Sequence, residues 1–549
     1  MKYVSYVLTF AFFVFAMVLI ARFKVTPVAI IFTALQFGIL FLAMFALSGQ
    51  WLRSVNFAST LLVCVYYISN LTYHYYKKPL FSSDFLLFFD TENWGIILEY
   101  KELIFIILLY ILVLLFGIFA YRDTKRVSIK FRIISIFGLI CLIFSNCVLI
   151  RKKFIMENWL KTFPEAKEIN MNLAMSLVNM SYQAPYFDDS YPYFEDKMSR
   201  VRPYKVSNLK PNLVLFLQES TVDVTYYKGD LKQVDMFKGD DFKFKSLARV
   251  HTFGGGTFKS EFEILTGLSV NDFGVNSSTV FYNVTEHLSH SLPKMLKEHG
   301  YYVISLNPLV PKYFNVYNAY KDLGVDKYFH PYDLECGKEF KNGNSYKNLW
   351  KISSKKLGEC VKEIYNKYKD KEPLFIYATT IDEHVPYDRA SKVGYGLDKF
   401  YPKDQALVLS DYYKRQIDLS DATLDFDKFM KNTNKPYVFA YFGDHHGILG
   451  LKENDLLLPH KNPFFITGFY TKGSEEIQKL ATTELSELGL NTSVLLELMQ
   501  IKPNKYFEAI YAMRKLCGAV ETCKDKNLTK SYKSYIYDYL KVASQNSNR

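Results

Sequence analysis

Apolar residues in the first 150 positions fall in five blocks, at about Tyr3 to Ala21, Thr26 to Leu47, Asn56 to Thr72, Ile104 to Tyr121 and Ile133 to Ile150. Each has roughly the 17–25 residues that a helix needs to cross a bilayer. The first block has only Lys2 before it, no clear small-residue cleavage site, and four more blocks behind it, so it reads as a retained span and not as a signal peptide. The pattern predicts a five-helix transmembrane domain over residues 1–150. Arg122, Lys125, Arg126, Lys130 and Arg132 lie between blocks four and five. A basic loop of this kind stays cytoplasmic, which puts the N-terminus inside and the chain beyond Arg151 outside.

Two further stretches mix apolar and polar positions. KKPLFSSDFLLFFDTENWGIILEYKE, between blocks three and four, is too polar to cross lipid and reads as lying along the membrane surface. Residues 151–205 include EAKEINMNLAMSLVNMSYQA, with apolar positions at helical spacing, and form an amphipathic bridging segment.

From Asn212 the period changes. NLVLFLQES, YYVISLN, PLFIYATT, PYVFAYFGD and PFFITGFY are short, continuously apolar runs separated by helical stretches. Such runs belong to strands covered on both faces, which predicts a doubly wound, mostly parallel α/β domain over 206–515 with its site at the C-terminal strand ends. Residues 516–549 read as a tail, loosely ordered after about Lys524.

Chemistry gathers at those strand ends. Glu219 closes the first run, Asp444, His445 and His446 close PYVFAYFGDHHG, and Asp382, Glu383 and His384 follow PLFIYATT. Carboxylates and imidazoles converging on one sheet edge are the donors a divalent metal needs. In VHTFGGGTFKSEFEILTG, Thr257 stands between three glycines and an apolar helical pattern, where it reads as the N-cap of the helix. A helix N-terminus attracts phosphate, and a metal supplies the means to activate a threonine hydroxyl.

The order Glu219, Thr257, Asp444 with His445 resembles the metal-and-nucleophile set of the alkaline phosphatase and sulfatase superfamily, in its membrane-anchored phosphoethanolamine and phosphoglycerol transferase branch. The resemblance implies zinc or manganese held by Glu219, Thr257, Asp444 and His445, with Thr257 as nucleophile and His384 and His460 on the substrate side. It implies a phospholipid donor, phosphatidylethanolamine before phosphatidylglycerol, and an envelope glycan such as lipopolysaccharide as acceptor. A multi-pass protein of the bacterial inner membrane with its catalytic domain in the periplasm follows. Phosphoglycerol transfer and headgroup hydrolysis are the alternatives within the fold, and a non-catalytic scaffold the alternative outside it.

Departures from the family patterns narrow this. No C/S-x-P-x-R motif surrounds Thr257, which argues against sulfate-ester hydrolysis. Glu219 is followed by Ser220, Thr221 and Val222 where lipid A phosphoethanolamine transferases carry Thr-Ala-Arg. The glycerol-phosphate cluster of lipoteichoic acid synthases is matched here only at Phe314 and Asn315.

Composition agrees with a half-membrane chain: aromatic residues make up 17% and mean hydropathy is −0.03. The net charge of +12 is scattered among Tyr and Phe and alternates with acids, which suits anionic lipid and phosphorylated glycan and not nucleic acid. Of seven cysteines, Cys336, Cys360, Cys517 and Cys523 lie in the soluble part, and an oxidising periplasm permits Cys517–Cys523 and Cys336–Cys360 bridges.

Overall fold

The computed structural model describes residues 27–76, 79–89, 126–151, 169–178, 181–340, 352–370, 373–520 and 522–546, together with 108, 111, 112 and 115. Contacts divide the chain into two units, Met1–Ser181 and Tyr182–Arg549.

In the first unit, helices α1 (Pro27–Ser48), α2 (Trp51–Tyr76) and α3 (Ile129–Ile150) contain stretches long and apolar enough to span a membrane, at Ile30–Ser48, Trp51–Asn70 and Ile129–Ile150. They correspond to the second, third and fifth apolar blocks. The first block, and the fourth except for 108, 111, 112 and 115, lie outside the described residues. Of the surface stretch between blocks three and four, a short helix at Asp84–Phe89 is described. Ser82 just before it donates through its hydroxyl to Leu173 O at 2.8 Å, which ties this stretch to the helix Ile169–Val178.

The second unit is built on one eight-stranded sheet in the order β4-β3-β5-β1-β6-β7-β2-β8. Its strands are β1 (Asn212–Gln218), β2 (Phe244–Arg249), β3 (Tyr302–Leu306), β4 (Lys327–Phe329), β5 (Leu374–Thr379), β6 (Tyr437–Gly443), β7 (Ile466–Gly473) and β8 (Leu485–Glu487). The five runs picked out by hydropathy are β1, β3, β5, β6 and β7. Four of them pair in parallel, and β7 runs antiparallel between β6 and β2. β1 alternates between two cores: Leu213, Leu215 and Leu217 pack with Phe262, Ile264 and Val494 on one face, while Val214 and Phe216 pack with Leu409, Leu419 and Phe426 on the other.

Helices α4 (Thr257–Thr266), α5 (Ser354–Tyr368), α6 (Lys403–Lys431), α7 (Thr492–Met499), α8 (Lys505–Cys517) and α9 (Lys526–Ser534) cover these faces. The expectation of a loose tail after Lys524 is corrected by α9 and the π-helix Tyr535–Tyr539 that follows it. Tyr532, Tyr535, Ile536, Tyr537 and Val542 are buried in the main core, because the lysines and serines of this segment alternate with aromatic residues that face inward. Disulfides join Cys336 to Cys360 and Cys517 to Cys523, with Cα atoms 5.3 and 5.2 Å apart.

Candidate active site

Register brings the site together. β1 lies between β5 and β6, with Gln218 opposite Gly443 and Leu217 opposite Thr379. The next residues on the three strands are Glu219, Asp444 and Thr380, so hydropathy and pairing alone deliver two carboxylates to one edge. Thr380 Oγ1 accepts from Glu219 N at 3.0 Å and fixes the direction in which β1 leaves the sheet. Gly443 is required at the crossing, since a Cβ there would sit 1.8 Å from Thr221 O.

Glu219, Asp444 and His445 are buried and offer ligand atoms that all lie within 4.8 Å of one another. Asp444 Oδ1 accepts from Ser220 N at 2.7 Å and His445 N at 2.8 Å, which leaves Oδ2 pointing into the group. His445 Nδ1 lies 2.9 Å from His446 O, so the proton sits on Nδ1 and Nε2 carries a free lone pair. Asp444 Oδ2 and His445 Nε2 are both buried without a hydrogen-bond partner, which is the state expected of metal ligands and a cost otherwise. The donor set therefore fits a divalent cation. Burial raises the Asp444 carboxyl to about 7 and raises Glu219 as well, the neighbouring Asp444 charge adding to the latter. A cation would reverse both shifts.

Thr257 completes the constellation, though not as the N-cap. Gly254, Gly255 and Gly256 all have positive φ, and Gly256, at φ 76°, is itself the cap residue. The helix thus starts on Thr257, whose hydroxyl is released from capping and donates to Glu219 Oε2 at 3.0 Å. Thr257 is half-buried while the residues after it in α4 are buried, so its oxygen stands at the accessible rim of the group.

His384 follows β5 on the other side of β1. Its Nδ1 lies 2.6 Å from Val385 O, and burial lowers its pKa, opposed by the Glu219 charge. His446 turns away: Nε2 lies 2.7 Å from Ile466 O and Nδ1 3.3 Å from the Tyr227 hydroxyl, and burial drives its pKa to about 4. His460 is not drawn into the ligand group, and its Nε2 lies 3.7 Å from Glu484 Oε1. Phe314 stacks on Phe258, the residue after Thr257, with ring centroids 5.8 Å apart. Phe314 and Asn315 both hold left-handed backbone, and Asn315 Nδ2 donates to Phe281 O at 2.7 Å.

Sequence reading passed over one residue that shapes this edge, Arg415, and named Glu383 only as a candidate donor. Arg415 in α6 is buried and donates to Asp382 O at 3.0 Å, His384 O at 2.8 Å and Pro386 O at 2.8 Å, while pairing with Asp411 at 2.7 Å. An arginine in the middle of an amphipathic helix gives no local sign of this role. Glu383 accepts from Thr380 Oγ1 at 2.7 Å and Ser354 Oγ at 2.5 Å, and burial raises its pKa to about 8.

The Sulfatase family model matches residues 211–484. An uncharacterized protein of Haemophilus influenzae is 30% identical over 534 residues, 93% of this chain and 95% of that one. The chain carries a sulfatase-family domain. A lipoteichoic acid synthase-like protein of Bacillus subtilis, YvgJ, is 27% identical over 286 residues, 49% of this chain and 43% of its own length. The phosphoglycerol transferase GacH of Streptococcus pyogenes, solved with sn-glycerol-1-phosphate, superposes with a TM-score of 0.51 at 18% identity, over 65% of this chain and 95% of that one. Its likeness fixes the sulfatase fold for the second unit, in which the metal-fit group and Thr257 occupy the strand-end edge.

Proposed function

We propose that this chain transfers the phosphate-bearing headgroup of a phospholipid to a hydroxyl of an envelope glycan through a phosphorylated Thr257. The observation that carries the reading is the half-buried Thr257 hydroxyl held 3.0 Å from Glu219, beside Asp444 and His445.

In the first step Thr257 Oγ1 bonds to the donor's phosphorus as the bond from phosphorus to the diacylglycerol oxygen breaks. The proton lost by Thr257 is the one diacylglycerol carries away. In the second step the acceptor oxygen bonds to phosphorus, Thr257 leaves as it recovers a proton, and that proton is the one the acceptor gives up. His384 is the carrier: burial lowers its pKa so the ring is neutral near pH 7 and can take up and return that proton, while Nδ1 is held against Val385 O. His460 belongs to the substrate side. Glu219, Thr257, Asp444 and His445 would hold the metal, zinc by preference for this nitrogen and oxygen set and manganese next. When bound, the cation lowers the hydroxyl pKa and offsets charge on the phosphoryl oxygens.

Phosphoethanolamine from phosphatidylethanolamine, passed to a glycan such as lipopolysaccharide, is the first reading of the headgroup. Phosphoglycerol is the second, favoured by what GacH is named for. The apolar helices favour placement in the inner membrane, with the second unit in the periplasm. Incubating the purified full-length protein with phosphatidylethanolamine or phosphatidylglycerol and no acceptor tests the scheme. A Thr257 peptide carrying the headgroup phosphate is expected, and diacylglycerol release without it would favour direct hydrolysis.

A further inference from the structure

A second cavity, of ≈ 420 Å³, lies in the same unit, walled by Val201–Lys205, Gln500 and Tyr511. Ser207 N donates to Gln500 O at 2.9 Å and Leu480 N to Lys243 O at 2.7 Å. These bonds tie its walls to the segments that enter β1 and β2 at their N-terminal ends. It therefore sits a strand length, roughly 20 Å, from the edge that carries Thr257. Its size falls within the roughly 300–1,000 Å³ of small-molecule sites.

Three features of the lining point to a ligand. Gln500 is 6% exposed, and its carboxamide has no hydrogen-bond partner among the described residues, so the amide stays open toward the cavity. Arg202 and Lys205 have no carboxylate partner among the described residues, and the nearby Glu497 is already taken by Arg514 and by Lys515 at 3.2 Å. Tyr204 and Tyr511 pack edge to face with centroids 5.0 Å apart. Their hydroxyls are spent on Ile501 O at 2.6 Å and Arg202 O at 3.1 Å, and Lys515 Nζ lies 5.3 Å from the Tyr511 ring centroid, so the rings offer apolar surface beside a further cation.

We infer that this cavity binds a phosphorylated sugar of an envelope glycan, remote from the Thr257 edge. The unpaired cations meet the phosphate, the Gln500 amide meets ring hydroxyls, and the tyrosine rings meet the apolar face of the sugar. A bare anion would leave the amide and the rings without partners. The inference holds whether or not Thr257 is the nucleophile, because it concerns binding at the opposite edge of the sheet.

Calorimetric titration of the full-length, metal-loaded protein in detergent with glucose 6-phosphate, and with glucose as the neutral control, tests it. Glucose 6-phosphate is expected to bind about tenfold tighter than glucose, and Arg202→Glu with Lys205→Glu to weaken it by about tenfold. Gln500→Asn keeps a residue that tolerates left-handed backbone and withdraws the amide, and it should weaken both sugars. Thr257→Ala, though without phosphotransfer, should keep the wild-type affinity for both sugars. Equal binding by the double variant, or loss of binding in Thr257→Ala, would overturn the site. Displacement of glucose 6-phosphate by phosphatidylglycerol in the micelle, but not by phosphatidylcholine, would assign the cavity to a lipid headgroup and overturn the glycan reading.

Discussion

His445 Nε2 and Asp444 Oδ2 face each other across 3.2 Å, both buried and both without a hydrogen bond. Two lone pairs at that distance repel unless a cation lies between them, and Glu219 Oε1, 3.5 Å from the same nitrogen, adds a third donor. Dialysis of the full-length protein against a chelator should therefore lower its melting temperature and remove a stoichiometric metal. Zinc should restore both, by the stabilisation that any ligand of the folded state gives. Asp444→Asn should fail to retain metal. A chelated protein with unchanged melting temperature and no metal to lose would sink the site.

Thr257→Ala removes one hydrogen bond to a buried carboxylate, worth about 1.5–3 kcal/mol, from a residue that is only half-buried. Phosphotransfer should disappear while metal content and the cooperative unfolding transition persist. Thr257→Ser should retain part of the rate, since the hydroxyl stays at N1 of α4. Turnover by the alanine variant would remove the covalent scheme altogether.

Arg415 holds three carbonyls of the segment that carries His384. Lysine keeps the charge but not the planar fork, so Arg415→Lys should lose at least two of these bonds, on the order of 1–3 kcal/mol of stability. The rate should fall with metal content unchanged. Zinc loss in parallel with rate would show instead that the whole sheet edge had collapsed.

Glu383 has its pKa raised by burial from an ordinary 4.5 to about 8, the Asp382 charge contributing. Folding therefore takes up a proton between these values. The stability it supports is full below about pH 4.5 and is lost as pH rises through about 8, a change on the order of a few kcal/mol. Glu383→Gln imitates the protonated acid, so its melting temperature should decline less than that of the wild type between pH 5 and pH 8. Parallel profiles for the two proteins would refute this assignment.

Five strands were legible because each is a continuous apolar run buried on both faces, a pattern that survives without any knowledge of neighbours. β2, with its alternating burial, and the three-residue β4 and β8 were not, since short strands at or near a sheet edge take their identity from pairing and not from hydropathy. The tail was misread for a related reason: the lysines and serines of Lys526–Ser534 hide inward-facing Tyr532, and only packing reveals which face is covered.

By itself, the sequence determined the apolar blocks, the alternation of strands and helices, and the residues standing at the strand ends, because these depend on local composition and period. The family resemblance named His445 and not His446, and only the tertiary structure gives the physical reason for the choice. His445 and His446 are adjacent and chemically identical, yet the first faces Glu219 and the second is bound to Ile466 O on β7. It likewise decided that Gly256 and not Thr257 caps α4, since that depends on backbone angles three glycines leave open. A glycine run allows many paths, and only the fixed positions of β1 and β6 select the one that delivers the Thr257 hydroxyl to Glu219.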